Sequence, residues 1–419
     1  MTPDTEGKIM LKNSARRIIT TLVLALAWLL AGIRGTAIPQ GDVTAPHAGE
    51  GEVPQFELVK DWPRLPSKWK MGYGSDIQSD SKGNVWILSR PRTVANSGTG
   101  GANATSMPAP PVMEFDNNGN FIQGWGGQSG LGYQWPSNEH GFAIDDRGFV
   151  WILGNAYDNN PANLPSDNQI LKFTTDGKFV MAIGKSGQNG SNSTDVLRGA
   201  ASVRYYGKRN ELFVADGYGN NRVIVFDADS GKVKRMWGAY GKTPIDRDKR
   251  TAVPTAPDDR CPVVCGIWQA LHQFEVVHDV LISKDDLVYV SDRGNKRVQV
   301  FTPDGKFIAE QFFGMDSKYA SQGGSLAFSP DERFLYVSGT PVTYIVNRKT
   351  LEILGSFVTG PPQVHSVGHM IGSDKFGNIY EAQADIPSSG IGAYKFAFKG
   401  YSPKTPCCQA TRTPESVIP

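Results

Sequence analysis

The sequence predicts an all-β, six-bladed β-propeller with four antiparallel strands per blade. Three observations predict it. A strand–turn–strand unit recurs six times, each unit is followed by a further strand or strand pair, and Asp-Gly or Asn-Gly turns punctuate the chain. The 419 residues would suggest two or three domains on length alone. A propeller avoids that division because its blades share one axis.

The units can be taken in order. SDIQSDSKGNVWIL from Ser75 gives an apolar strand, a polar turn and a second strand ending on Trp86. HGFAIDDRGFVWIL from His140, HDVLISKDDLVYVSD from His278 and HMIGSDKFGNIYEA from His369 keep that frame, with aromatics at Trp151, Tyr289 and Tyr380. ASVRYYGKRNELFV from Ala201 and GSLAFSPDERFLYV from Gly324 fit with one extra turn residue. Third strands follow at Val112–Phe115, Ile170–Phe173, Val223–Phe226, Val298–Phe301, Tyr344–Val346 and Tyr394–Phe396. Turns such as DNNGN, TTDGK and TPDGK then lead to a fourth strand, for example Phe307–Gln311. The sixth unit lacks that fourth strand, and FELVKD (Phe56–Asp61) is left over before the first. It is expected to complete the last blade, so that the closed ring leaves no free sheet edge.

Outside the repeats, residues 1–37 read as a signal peptide or an uncleaved N-terminal anchor. Lys8, Lys12, Arg16 and Arg17 precede an apolar run from Ile18 to Leu30, and Gly35-Thr36-Ala37 offers small residues for cleavage. The run is short for a membrane span, although an anchor through it is the alternative. Residues 38–53 are expected to be a linker, 54–400 the propeller and 401–419 a flexible tail. Export to the periplasm or the medium follows. In that setting Cys261 and Cys265 are expected to pair, and a metal site there lacks nearby histidine. The partners of Cys407 and Cys408 cannot be read. The net charge of +2 comes without a basic stripe, so nucleic acid is not an expected partner. A monomer is expected.

The chemistry lies in the repeat frame. Its six positions are Ser75, His140, Ala201, His278, Gly324 and His369, so histidine falls on alternate blades. The chain holds only six histidines, and three share this frame. First strands line a propeller's channel, so alternate blades would bring three imidazoles together at one mouth. Three histidines and one open position compose a catalytic zinc site, though other late first-row metals suit imidazole. Singly, each histidine would be an ordinary polar residue at a strand start. His365 and His272 are out of frame, and His369 is preferred to His365 for its spacing. The second strands run back to the same mouth and end near Arg90, Tyr218 and Arg293. Arginine grips carboxylates bidentately, and a tyrosine beside a divalent cation can serve as a base. The same arginine and tyrosine could instead be a solvated turn residue and a packed aromatic. Insertions at Thr93–Pro111, Asn155–Ser166 and Tyr240–Trp268 gather at this mouth as a lid or funnel.

VYVSDRGNKRVQVFTPDGKFI closely resembles an NHL repeat. From roughly Gly74 to Phe398 the chain resembles the peptidyl-α-hydroxyglycine α-amidating lyase family (peptidylamidoglycolate lyase). The motifs are HGxxxDxxGxxW at His140, DGYxNxR at Tyr218 and DRxNxR at Arg293. The resemblance implies zinc on His140, His278 and His369, Tyr218 as catalytic base, and Arg90 and Arg293 as grips for the substrate carboxylate. It implies cleavage of a C–N bond in a small-molecule or peptide α-hydroxyglycine, giving an amide and glyoxylate. It also implies a structural calcium held partly by backbone carbonyls near the axis, which leave little trace in a sequence. The chain departs from the family where Met370, and not Asp, follows His369. No cysteine lies near Tyr218 or Arg293, and no hydroxylating copper domain lies within these residues. Two other readings remain open. One is another metal-dependent propeller enzyme, such as a calcium-dependent lactonase or esterase, but the frame offers none of the acidic or Asn ligands those use. The other is a non-catalytic NHL module binding protein or glycan, which would not explain histidine on alternate blades.

Overall fold

The structure is a computed structural model that describes residues 48–49, 51–96, 107–157, 167–246, 272–315, 322–359, 368–384 and 392–403. The expected signal segment, the four cysteines, His365 and the central parts of the three insertions lie outside the described residues. Among the described residues, no helix is long and apolar enough to cross a membrane.

Six four-stranded antiparallel sheets form the propeller. Their innermost strands are Tyr73–Ser79, Glu139–Ile144, Ser202–Tyr206, Val277–Ile282, Gln322–Phe328 and Gly368–Ser373. Each of these touches the next around the ring, including the last with the first. Blades two to five run outward through consecutive strands, and blade one does so apart from the short strand Met107–Pro108, which pairs with Trp69–Lys70. Blade six is ordered Glu52–Leu58, Ala393–Pro403, Ile379–Gln383, Gly368–Ser373, so the N-terminal segment supplies its outer strand. That strand sits earlier than the Phe56–Asp61 expected from sequence. Its register is set by pairing, with Leu58 opposite Phe396 and Glu52 opposite Pro403, and the chain turns away at Asp61 in a left-handed conformation. The propeller strands thus reach from Glu52 to Pro403, slightly beyond 54–400 at both ends.

The repeated motif has a local cause. In blade two Asp145 Oδ1 accepts the backbone N–H groups of Arg147 and Phe149, closing the turn. Gly148 takes the positive φ that the hairpin needs. Asp145 Oδ2 accepts Trp151 Nε1–H at 3.0 Å. One carboxylate therefore fixes both the turn and the aromatic of the second strand. Asp80 serves Trp86 and Asp374 serves Tyr380 in the same way.

Successive strand residues face opposite sides of a sheet, so each blade buries one face on the blade before and one on the blade after. The aromatics Trp86, Trp151, Phe213, Tyr289, Tyr336 and Tyr380 pack forward. The next residues, Ile87, Ile152, Val214, Val290 and Val337, pack backward. Six apolar clusters result, one per interface. Blade six breaks the rule, because the sixth backward position is Glu381. It is fully buried, and neither carboxyl oxygen has a well-aligned hydrogen-bond partner. Burial pushes its carboxyl up to about 8, with Gln383 beside it as the weaker opposing influence.

Two outcomes are expected. Phe56 packs on Phe357, Tyr336 and Phe398. Phe56→Ala should lower unfolding stability by about 2 kcal/mol in urea titrations, less than a fully buried ring would cost. Glu381 is protonated in the folded chain over a pH range where the unfolded chain ionises. Its stability contribution is full below the ordinary value of 4.5 and fades as pH rises through about 8. Glu381→Gln should therefore gain on the wild type across that window, by on the order of 1–3 kcal/mol at its upper end.

Candidate metal centre

Each in-frame histidine sits at a β-bulge. Pairing slips between Glu139 and Gly141, between Val277 and Asp279, and between Gly368 and Met370. The extra residue at each slip is His140, His278 or His369, and a bulge re-aims its side chain out of the sheet alternation. All three rings are buried at the axis. Their centroids are 5.2, 4.6 and 5.0 Å apart, and the ring planes lie at 82°, 68° and 90° to one another. One ligand atom from each lies within 4.8 Å of the others.

The other three frame positions hold these rings. His140 Nδ1 donates to the Ala201 carbonyl at 2.7 Å, His278 Nδ1 to Gly324 at 2.6 Å, and His369 Nδ1 to Ser75 at 2.6 Å. Each acceptor belongs to the next blade around the ring. Because Nδ1 carries the proton, Nε2 presents its lone pair to the axis. Burial pushes all three rings to the neutral form, helped at His140 by its two neighbours and at His278 by Arg293. His369 is pushed down to about 3, by burial first and Arg90 second.

Tyr218 Oη completes the group, 2.9 Å from His140 Nε2 and 3.1 Å from His278 Nε2. His369 Nε2 lies 3.1 Å from His140 Nε2. A tetrahedral zinc ion with bonds of about 2.0–2.1 Å sets its ligand atoms about 3.3 Å apart, close to these separations. Two Nε2 lone pairs facing one another at hydrogen-bond distance, with no proton between them, suit a shared cation. The residues fit a metal.

Tyr218 and Arg293 ride on loops built alike. Asp216, fully buried, accepts from Asn220 Nδ2 at 2.8 Å and Arg222 Nε at 3.0 Å. Asp292 accepts from Asn295 Nδ2 at 2.7 Å and Arg297 Nε at 2.8 Å. The D…N…R motifs are thus buried ion pairs that fold the loop between their ends. Gly217 lets the Tyr218 loop meet the His278 strand, since a Cβ there would lie 1.9 Å from the Val277 carbonyl. The Arg293 guanidinium stands 5.3 Å from the Tyr218 ring centroid. Arg90 Nε donates to the Glu139 carbonyl at 2.8 Å, one residue before His140. Tyr218, Arg90 and Arg293 are partly exposed above the buried histidines. His272 is exposed and its ring is absent from the three-histidine group. Met370 packs into the apolar cluster between blades six and one.

One layer below lies a feature that the sequence reading missed. Asp76 and Asp279 directly follow frame positions Ser75 and His278, and both are fully buried. Arg204 bridges them at 3.2 and 3.0 Å. The signal in the sequence was an acidic residue right after the frame in two blades.

The NHL repeat family matches residues 274–301. The chain is 23% identical to mouse NHL repeat-containing protein 3 over 68% of its own length and 67% of that protein. It is 26% identical to rat peptidylglycine alpha-amidating monooxygenase over 58% of its own length, and spans only 22% of that relative. A solved streptogramin B lyase structure aligns over 84% of this chain and all of its own, at 11% identity and a TM-score of 0.44.

Asp216→Ala would leave Arg222 buried without its carboxylate. An unfolding loss of about 3–5 kcal/mol is expected in urea titrations. The wild type should bind one divalent metal per chain, and His140→Ala/His278→Ala should bind none by elemental analysis.

Proposed function

From this NHL-type six-bladed propeller with its converging histidines, we propose a metal-dependent lyase that cleaves the C–N bond of an α-hydroxyglycine-type substrate, releasing an amide and glyoxylate. The carrying observation is the placement of Tyr218 Oη against two of three neutral histidine Nε2 atoms. Distant similarity to the peptidylglycine alpha-amidating monooxygenases supports the reading.

His140, His278 and His369 would hold the ion, with zinc favoured by three nitrogen ligands and one oxygen. When bound, zinc supplies Lewis-acid polarisation of the substrate hydroxyl oxygen. Tyr218 takes the hydroxyl proton. As the carbon–nitrogen bond breaks, its electron pair leaves on the amide nitrogen, which gains a proton, while the hydroxyl-bearing carbon becomes the aldehyde of glyoxylate. Arg293 and Arg90 face the mouth and attract the substrate carboxylate, fixing which bond lies against Tyr218. The N-terminal pattern supports an exported enzyme.

The test is glyoxylate release from an acyl-α-hydroxyglycine by zinc-loaded protein. Tyr218→Phe should lower kcat by roughly 10²–10⁴-fold while zinc remains bound. Arg293→Lys should mainly raise KM, because the ammonium cannot make the planar two-point contact. Bound metal without glyoxylate would point to another metal-dependent propeller enzyme. No metal and no glyoxylate, with a retained partner, would leave a binding module.

A further inference from the structure

Among the described residues, the oxygens beside and beneath the histidines leave no free cradle for the structural calcium implied by the family resemblance. The carbonyls of Ala201, Gly324 and Ser75 are taken by the three histidine Nδ1–H groups. The carboxylates in the layer below are fully subscribed. Asp76 Oδ1 accepts Ile77 N–H and Gln78 Nε2, and its Oδ2 accepts Phe142 N–H and Arg204 Nη1. Asp279 Oδ1 accepts Val280 N–H and faces Arg204 Nη2 at 3.0 Å, and its Oδ2 accepts Ser325 Oγ and Leu326 N–H. Each of the four carboxylate oxygens accepts at least one hydrogen bond, and Asp279 Oδ1 also faces the Arg204 guanidinium as an ion pair.

We infer that the Arg204 guanidinium is a built-in axial cation that takes the place of a structural calcium, so that this propeller holds its ring without one. Arg204 enters from blade three and reaches Asp76 of blade one and Asp279 of blade four. Its Nη1 also donates to the Phe142 carbonyl of blade two at 3.0 Å. Asp279 continues the chain of contacts through Ser325 of blade five, whose Oγ accepts Ile371 N–H of blade six at 3.1 Å. One side-chain network therefore links all six blades at the axis. A fixed positive group suits this place, because two carboxylates buried together need a counter-ion. Calcium would supply that charge with six to eight oxygen ligands. The guanidinium supplies it from within the chain, with a planar fork that reaches both acids. The network also lies next to the histidines in the chain, since Asp279 directly follows His278.

Calcium content and thermal unfolding of the full chain test this. Wild type is expected to retain no calcium after purification and to keep its melting temperature when millimolar calcium is added. A bound calcium in wild type that raises the melting temperature would overturn the inference. Arg204→Ala leaves both carboxylates without a counter-ion. Its melting temperature should fall and then recover with calcium, with a matching gain of calcium binding. Arg204→Lys should stay close to wild type and remain indifferent to calcium. If Arg204→Ala folds but does not respond to calcium, the two acids are not a cation site and the inference fails. If it does not fold, the wild-type calcium measurement decides alone.

Discussion

Three imidazole N–H groups, each donating to a backbone carbonyl on the next blade, organise the mouth of this propeller. The contact does two jobs. It links neighbouring innermost strands, and it fixes each ring in the tautomer whose second nitrogen faces the axis without a proton. A six-fold repeat is used as two interleaved three-fold sets, three blades giving a ring and three giving the carbonyl that orients it. Small or absent side chains at Ser75, Ala201 and Gly324 leave that carbonyl approachable.

The rest of the architecture keeps those rings in place. Bulges turn the histidines inward without disturbing the strands below them. The Asp–aromatic turns secure the far end of each innermost hairpin in blades one, two and six. The buried pairs Asp216–Arg222 and Asp292–Arg297 hold the two loops that bring Tyr218 and Arg293 over the site. Such pairs add little net stability, but breaking one is costly, so they specify a loop conformation more than they strengthen the fold. The strand Glu52–Leu58 closes the ring by completing the last blade as its outer strand.

Much of this was legible in the sequence, for physical reasons. The frame survives because every blade meets the same steric demand at its aromatic and at the residue after it. The histidines stood out because the frame assigns them to alternate blades. The closing strand was legible as a strand, but not in its limits, because the pairing that sets them lies nearly the whole chain away. Arg204 was not legible. It falls in an ordinary-looking VRYY strand, and only the ring brings it between Asp76 and Asp279. Glu381 could have been noticed, since it alone replaces a β-branched residue at its place in the frame. The loops of the three insertions and the cysteines fall outside the described residues and leave those readings as sequence expectations.

In the proposed function His140, His278 and His369 would hold one metal ion through Nε2, with Tyr218 Oη within reach of it. X-ray absorption at the metal edge of zinc-loaded protein tests it most directly. The proposed site predicts three imidazole nitrogens and one oxygen at about 2.0–2.1 Å. It also predicts a changed oxygen shell, with the imidazole shell intact, in Tyr218→Phe. Sulfur ligands, fewer than three imidazoles, or a protein that takes up no zinc at all would contradict it.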